Sequence, residues 1–297
     1  TIKTFDRLLS LDIFDTNDND ISLKRIHIIC TSFSILTSLI DIFLYWLFPQ
    51  NRNFSFFNII ILSIINLLYS ISTLLPSPDS DFQNSLNCKI QSFLINLTHS
   101  AQYLQVTIMS YCIFIKIIRR NHLEKYWIYY RFLFFTILIS FPSAFSIYIT
   151  YIRAYGDSGI FCWLDIYTNY KRNFIKKLVL NYYITLWFLL LVNIFFQIKL
   201  KISLKKNRIR NEIYEHLIKY PILLVFFSIP TTFNVLYRIM KKNEEIDIMI
   251  YLQVIFESCL GVVINVVFIS SPWIKQSIAD IISSYKNKDS LNNLLSI

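Results

Sequence analysis

Charged residues and glycine are both scarce in this chain of 297 residues. Charged side chains make up 16% of it, whereas a soluble domain carries about 25%. Three glycines are present, and none belongs to a glycine-rich loop of the kind that binds phosphate. Cysteine and histidine show no metal-site spacing, and no serine, histidine and aspartate set has a catalytic motif. We therefore expect neither an enzyme nor a resident cofactor or metal.

Hydrophobic residues, in contrast, make up 55% of the chain, and the mean hydropathy is +0.47. A water-soluble fold of this length lacks a core large enough to bury so much apolar surface. The composition therefore predicts an all-α membrane protein. The pI near 9.3 alone would fit nucleic acid binding. The basic residues are divided among the loops of a helical bundle, however, so nucleic acid is not expected as a partner.

Long apolar runs predict seven spanning helices. A span needs about 20 mostly apolar residues, and seven runs meet this length: 26–48, 54–75, 90–118, 127–152, 177–202, 213–240 and 247–270. The chain then divides into an extracellular N-terminal segment (1–25), a seven-transmembrane bundle (26–270) and a cytoplasmic tail (271–297). Residues 1–21 contain five aspartates and no apolar run, so the first span is expected to act as the insertion signal.

The tail begins with a second periodic pattern. After Pro272, apolar residues recur at helical spacing opposite Gln276, Ser283 and Ser284; they are Ile274, Ile278, Ile281, Ile282 and Tyr285. This pattern predicts a short amphipathic helix that lies on the bilayer surface. A surface helix directly after a seventh span is a receptor-like arrangement.

The orientation depends on where lysine and arginine lie, and their totals on the two sides are nearly equal. The loop 199–210 carries six bases and no acid, which is typical of a cytoplasmic loop. The loop 76–87 carries Asp79 and Asp81 and no base, which favours the outside. The sequence therefore predicts an extracellular N-terminus in the plasma membrane, with a ciliary or other cell-surface membrane as an alternative.

The five cysteines fall into two groups. Three lie inside the predicted spans, where a free cysteine behaves as a small buried hydrophobe: Cys30, Cys112 and Cys259. Cys88, at the outer end of the third span, and Cys162, in the following outer loop, would both meet an oxidising exterior. A disulfide between them would hold the loop 153–176 over the mouth of the bundle. Two unpaired cysteines are the alternative.

Several motifs, taken in order, resemble one receptor family. They are Cys88, the loop 159–164 with its Cys162-Trp163 pair, Tyr220-Pro221 at the start of the sixth span, Pro230 and Asn234 further along it, and the stretch 260–265 from Leu260 through Gly261 to Asn265. Pro142 in the fourth span also matches. This set is similar to the cyclic-AMP-receptor-like (class E) G-protein-coupled receptors of slime moulds and other protists, which are distantly secretin-receptor-like. Leu260 stands where that family has glutamine.

The resemblance implies a fold and a mechanism. It implies a Cys88–Cys162 disulfide, an extracellular and cyclic-nucleotide-like ligand, and a heterotrimeric G protein as partner. The implied conformational switch residues are Pro221, Pro230, Asn234, Gly261 and Asn265. Proline inside a helix removes one backbone hydrogen bond and kinks the helix, which suits a hinge. Membrane helices also tolerate proline with no switching role, so that alternative stays open.

Polar side chains inside the spans are the candidate ligand-binding groups, because their burial in lipid is costly. His99, Gln102 and Gln105 share a broad face of the third span, and Gln253 and Glu257 form an i, i+4 pair on the seventh. Together they are expected to line a pocket that opens outward. The alternative is that they only form interhelical hydrogen bonds. For Asp41 we prefer a packing or water-network role.

Basic and aromatic loop residues complete the set of candidates. Outside, the rim of the pocket is expected to include Trp163 and three bases that suit an anionic ligand, namely Arg153, Arg172 and Arg238. Inside, six bases are expected to face anionic lipid headgroups or the G protein: Arg119, Arg120, Lys205, Lys206, Arg208 and Arg210. Solvated basic loops are the simpler alternative for both sets.

The sequence therefore predicts a G-protein-coupled receptor, with two rival classes. A multi-pass transporter or channel would use Asp41, His99 and Glu257 as a relay. Such proteins usually show broken helices and repeated halves, whereas this chain has three glycines and no repeat. A structural subunit of a membrane assembly would need an extensive apolar face and no ligand cavity, and the sequence leaves that class open.

Overall fold

The apolar runs of the sequence fold into long α-helices. The computed structural model describes residues 18–48, 54–75, 85–118, 127–151, 155–157, 161–164, 172–207, 216, 218–240, 247–272, 274–280 and 283. Almost all of these residues are helical, and two short strands form the remaining regular structure within them.

Seven helices of at least 20 residues run through the described ranges: α1 (Asp18–Leu47), α2 (Phe54–Thr73), α3 (Leu86–Ile118), α4 (Trp127–Tyr151), α5 (Arg172–Asn207), α6 (Lys219–Met240) and α7 (Asp247–Ile269). At about 1.5 Å per residue, each is at least about 30 Å long, the thickness of the hydrocarbon core. Three helices are longer than predicted. α1 begins at Asp18 instead of 26, α3 begins at Leu86 instead of 90, and α5 extends beyond 177–202 at both ends. In each, backbone hydrogen bonding continues past the apolar run.

Five of these helices are long and apolar enough to span a membrane: α1, α2, α5, α6 and α7. α3 is long enough, but polar residues interrupt its apolar sequence, and most of these are buried against other helices. Within the described side chains, α4 provides a shorter apolar stretch, Thr136–Tyr151. The chain is thus a helical protein with five candidate spans, and the predicted total of seven stays a prediction.

The outer surface of the bundle is apolar. On α5, exposed large apolar side chains recur every three or four residues, at Ile184, Phe188, Leu191, Phe195, Ile198 and Ile202. α1 carries a similar outward stripe from Ile29 to Phe43. Most of the described polar side chains of α2 and α3 are buried instead. Apolar stripes on the outside with polar groups inside indicate a membrane-embedded protein.

The helices form a closed ring. α1 packs on α2, α2 on α3, α3 on α5, α5 on α6, α6 on α7, and α7 returns to α1. α3 also contacts α4 and α6, so it packs against four other helices. The predicted position of the seventh helix beside the first and the sixth is confirmed.

α7 approaches α1 closely at Gly261. A Cβ atom at this position would overlap Ser34 Oγ and would lie 3.2 Å from Ser34 Cβ and 3.8 Å from Asn66 Cβ. Ser34 is buried and accepts a hydrogen bond from Ser70 Oγ at 3.0 Å. Gly261 therefore lets α1, α2 and α7 meet at one point.

Of the two prolines of the sixth helix, one lies in the helix interior as predicted and the other does not. Pro230 lies in the interior of α6, as expected of a kink. α6 begins at Lys219, so Pro221 lies in the first turn instead. There the missing N–H has no intrahelical acceptor to lose, so proline is tolerated without a kink. Of the predicted pair, Pro230 is thus the interior weak point. Pro142 lies inside α4.

A short helical segment over 274–280 follows Pro272, as predicted. Its inner face differs in part from the expected apolar face: Ile274 is fully buried and Ser277 is buried, whereas Ile278 is exposed. Ile281, Ile282 and Tyr285 lie outside the described residues.

Replacing Gly261 tests the close packing of α1 and α7. In a helix interior, glycine to alanine normally stabilises by about 0.5–1 kcal/mol. Here the added methyl group overlaps Ser34, so we expect Gly261→Ala to destabilise instead, by about 1–3 kcal/mol. The unfolding temperature of the purified protein measures the change. Val266→Leu, on the exposed face of the same helix, is the control, and a rise in stability for Gly261→Ala would refute this packing.

Candidate functional site

A β-hairpin covers one end of the bundle. β1 (Tyr155–Asp157) and β2 (Cys162–Leu164) pair antiparallel, with Gly156 opposite Trp163. The Sγ atoms of Cys162 and Cys88, in the first turn of α3, lie 2.20 Å apart, at disulfide distance, as the sequence predicts. The hairpin is therefore tied to the end of α3.

Gln91 reinforces this attachment. Its Oε1 accepts a hydrogen bond from the backbone N–H of Cys162 at 3.0 Å, and its Nε2 donates to the backbone oxygen of Leu75 at 2.8 Å. One buried amide thus joins the end of α2, α3 and β2. Gln91 was not among the predicted site residues, although its position three residues after Cys88 puts both on one face of α3.

The hairpin also contacts α4 and the start of α1. The Tyr155 hydroxyl donates to the backbone oxygen of Ser146 at 3.2 Å. Burial raises the pKa of this phenol, so its proton stays in place for the hydrogen bond. The ring of Phe161, one residue before β2, lies 5.9 Å from the ring of His27. The N-terminal part of α1 and the disulfide are therefore at the same end of the bundle.

An aromatic layer lies beneath the hairpin. Trp163 is buried, its ring lies 6.2 Å from that of Tyr183, and its Nε1 donates to Asn96 Oδ1 at 3.4 Å. Tyr182 belongs to the same layer, and its hydroxyl lies 2.7 Å from His99 Nδ1. Trp163 forms part of the cover above His99, and its predicted role as a ligand contact stays a prediction.

Beneath this layer, α2, α3, α6 and α7 enclose a small polar cavity. The residues that line it are Tyr69, His99, Gln102, Tyr103, Phe227, Ser228, Thr231, Glu257 and Leu260. Three of the predicted ligand-binding residues, His99, Gln102 and Glu257, thus come together. The cavity has room for about one water molecule. A nucleotide-sized ligand does not fit it, because such ligands occupy pockets of about 300–1,000 Å³.

Glu257 is the one carboxylate in the cavity wall. Its Oε1 accepts hydrogen bonds from Thr231 Oγ1 at 2.9 Å and from Gln253 Nε2 at 3.3 Å, and Tyr69 also bonds to it. All of these partners are neutral. The acid therefore links α7 to α6 and α2 without an ion pair to any described residue.

The other predicted residues of this set have different partners. Gln105 Nε2 donates to the backbone oxygen and Oδ1 of Asn58, both at 3.1 Å, so Gln105 packs α3 against α2 outside the cavity. Gln253 Oε1 accepts a hydrogen bond from Asn234 Nδ2. Gln253 thus bonds to both Glu257 and Asn234, and the bond to Asn234 joins α7 to α6.

Asn265 belongs to a second polar cluster, between α1, α2 and α7. Its Nδ2 donates to Thr37 Oγ1 at 2.8 Å and to Ser38 Oγ at 3.0 Å. Ser63 Oγ lies within hydrogen-bonding distance of both Asn265 Oδ1 (3.4 Å) and Asp41 Oδ2 (3.0 Å). This arrangement agrees with the packing role preferred for Asp41.

The predicted basic residues remain untested. Arg153, Arg119, Arg120, Arg208 and Arg210 lie outside the described residues, as do the side chains of Arg172, Arg238, Lys205 and Lys206. The anionic-ligand rim and the cytoplasmic basic surface therefore stay predictions.

Comparison with known proteins finds no matching family model and no matching curated protein. The resemblance to cyclic-AMP-receptor-like proteins therefore rests on the motifs alone and stays a prediction.

The disulfide provides a direct stability test. We expect Cys88→Ser and Cys162→Ser each to lower the free energy of unfolding by about 2–4 kcal/mol, because the bridge closes a long loop. The double variant should lose no more than either single one, since both break the same bond. Chemical denaturation measures this, with Cys112→Ser, a buried free thiol, as the control. Additive losses at positions 88 and 162 would contradict the bridge.

Proposed function

We propose that the chain is a seven-span receptor of the plasma membrane, which takes an extracellular ligand beneath its hairpin and activates a heterotrimeric G protein. One observation supports this above the others: a hairpin bound to α3 by Cys88 and Gln91 lies over a polar cavity that α2, α3, α6 and α7 share. A structural subunit needs no such cavity.

The low hydropathy of α3 is compatible with seven spans. Its polar side chains, among them Gln91, Asn96, Gln102 and Gln105, are buried inside the ring, so they reduce the hydropathy without facing lipid. α3 is 33 residues long, or about 50 Å, and α4 packs along it. Helices of this length beside five candidate spans are expected to cross the bilayer with them.

An extracellular N-terminus is supported by the disulfide. Disulfides persist in oxidising compartments, and His27 near the start of α1 contacts Phe161 beside the bridged hairpin. The N-terminal end of α1 and the hairpin therefore share the outer side. The loops after α1, α3 and α5 are then cytoplasmic, as is the basic stretch 199–210, which begins inside the last turns of α5.

Signal transmission is proposed to run along α6. Thr231 joins α6 to Glu257 of α7, and it directly follows the interior Pro230. A ligand that alters the Thr231–Glu257 bond would bias the geometry of α6 next to its weakest backbone position. Such a ligand shifts the receptor between states if it binds one arrangement of α6 more tightly than the other.

Epitope tags test the spans. We expect an N-terminal tag to be stained on intact cells, and a tag inserted within 119–126 to be stained only after the cells are permeabilised. The second tag decides whether α3 and α4 cross, because without both crossings the α3–α4 loop would share the side of the hairpin. Staining of the inserted tag on intact cells would refute seven spans.

Nucleotide exchange tests the receptor function. The purified chain in lipid nanodiscs is expected to accelerate guanine-nucleotide exchange on a heterotrimeric G protein severalfold. The charge reversal Lys205→Glu/Lys206→Glu should reduce this acceleration, because both bases lie in the last turn of α5, at its cytoplasmic end. Lys24→Glu/Arg25→Glu, exposed at the other end of the bundle, is the matched control. Equal loss in both double variants would argue against a cytoplasmic docking surface.

A further inference from the structure

We propose that the cavity between Tyr69, Gln102 and Glu257 is a subsite for a protonated primary amine. The inference names a ligand group for the proposed receptor and so rests on that function. The side chains that line the cavity restrict ligand chemistry more narrowly than the basic outer loops do.

The cavity presents hydrogen-bond acceptors to a guest. Glu257 contributes a carboxylate whose described partners are all neutral. Gln102 uses its Nε2 to donate to Asn66 Oδ1 at 2.6 Å, which leaves its buried Oε1 without a hydrogen-bond partner among the described residues. A buried acceptor without a donor is costly. A guest with several N–H groups would satisfy both acceptors.

The donors around the cavity are already used by its own walls. The hydroxyls of Tyr103 and Ser228 bond to each other at 2.6 Å, and Thr231 Oγ1 donates to Glu257. His99 Nδ1 is paired with the Tyr182 hydroxyl at 2.7 Å. An anionic guest would therefore meet a carboxylate and few available donors, whereas a cationic guest would meet complementary groups.

The size and the walls of the cavity favour a small cation. Tyr69, Tyr103 and Phe227 line it, and aromatic faces attract ammonium groups. Its space is about that of one water molecule, which matches a primary ammonium head and is too small for a quaternary one. An ammonium ion would also neutralise Glu257, whose burial as an isolated charge is unfavourable in a membrane protein.

A ligand with an anionic group must therefore bind that group elsewhere. Basic residues outside the cavity could hold an anion, while the amine enters beside Glu257. A ligand with anionic groups alone would leave Glu257 and Gln102 Oε1 without donors.

Thermal unfolding of the purified full-length chain in nanodiscs tests the subsite with methylammonium chloride. At ten times its dissociation constant, methylammonium should raise the unfolding temperature by about 3 °C, because a ligand that binds only the folded state stabilises it. Tetramethylammonium chloride and sodium chloride at equal ionic strength should give no comparable rise. Equal shifts with methylammonium and tetramethylammonium would overturn the proposal, since the cavity admits only the primary ammonium.

Matched variants test whether the methylammonium shift arises at this cavity. Glu257→Gln and Gln102→Leu should abolish the methylammonium shift. Asp41→Asn removes another buried carboxylate, and Gln105→Leu removes another buried amide of α3. Neither residue lines the cavity, so both variants should keep the methylammonium shift. A shift that survives in Glu257→Gln would overturn the proposal. If the cavity variants do not fold, the comparison of the two ammonium salts on the unaltered protein still decides.

The assay contains no G protein, so failure of the subsite and failure of the receptor function are distinguishable. A Glu257-dependent methylammonium shift without nucleotide exchange would support the subsite and remove the receptor function. Exchange activity with no such shift would support the receptor function and refute the subsite.

Discussion

The absence of water around the helices is the constraint on which the structure depends. A polar side chain that faces hydrocarbon loses its hydrogen bonds, so it must find partners inside the bundle. α3 carries many such side chains and contacts α2, α4, α5 and α6. Gln91, Gln102 and Gln105 each donate to the end or the face of α2. The hairpin attachment and the cavity wall both follow from this central position.

Two groups of polar contacts involve α7, and their other partners differ. One group joins α1, α2 and α7 through Ser63, Asp41 and Asn265, next to the close approach at Gly261. The other joins α6 to α7 through Thr231 and Glu257, beside Pro230. The first group combines short side chains with close backbone approach, which favours a fixed interface. The second lies where the backbone has lost a hydrogen bond, which favours movement.

The candidate site could be predicted in part. Costly polar groups in apolar runs pointed to His99, Gln102 and Glu257, and all three line the cavity. The same reasoning included Gln105, which contacts Asn58 instead, because spacing along one helix does not show which neighbour each position faces. Tyr69 and Tyr103 were missed, since 17% of the chain is aromatic. Nothing in the sequence separates a tyrosine in a cavity wall from one in the core.

The amino-acid pattern was enough to predict the helical membrane class, the approximate extent of the long helices and the two cysteines that meet. These properties follow from local composition, because lipid selects long apolar helices and an oxidising exterior selects paired cysteines. The packing of the helices was needed to show that Gln91 joins the hairpin to α2, that Pro221 lies in a first turn, and that the cavity is small and rich in acceptors. Those facts depend on how helices distant in sequence pack together, and helix periodicity specifies a face but not the partner opposite it.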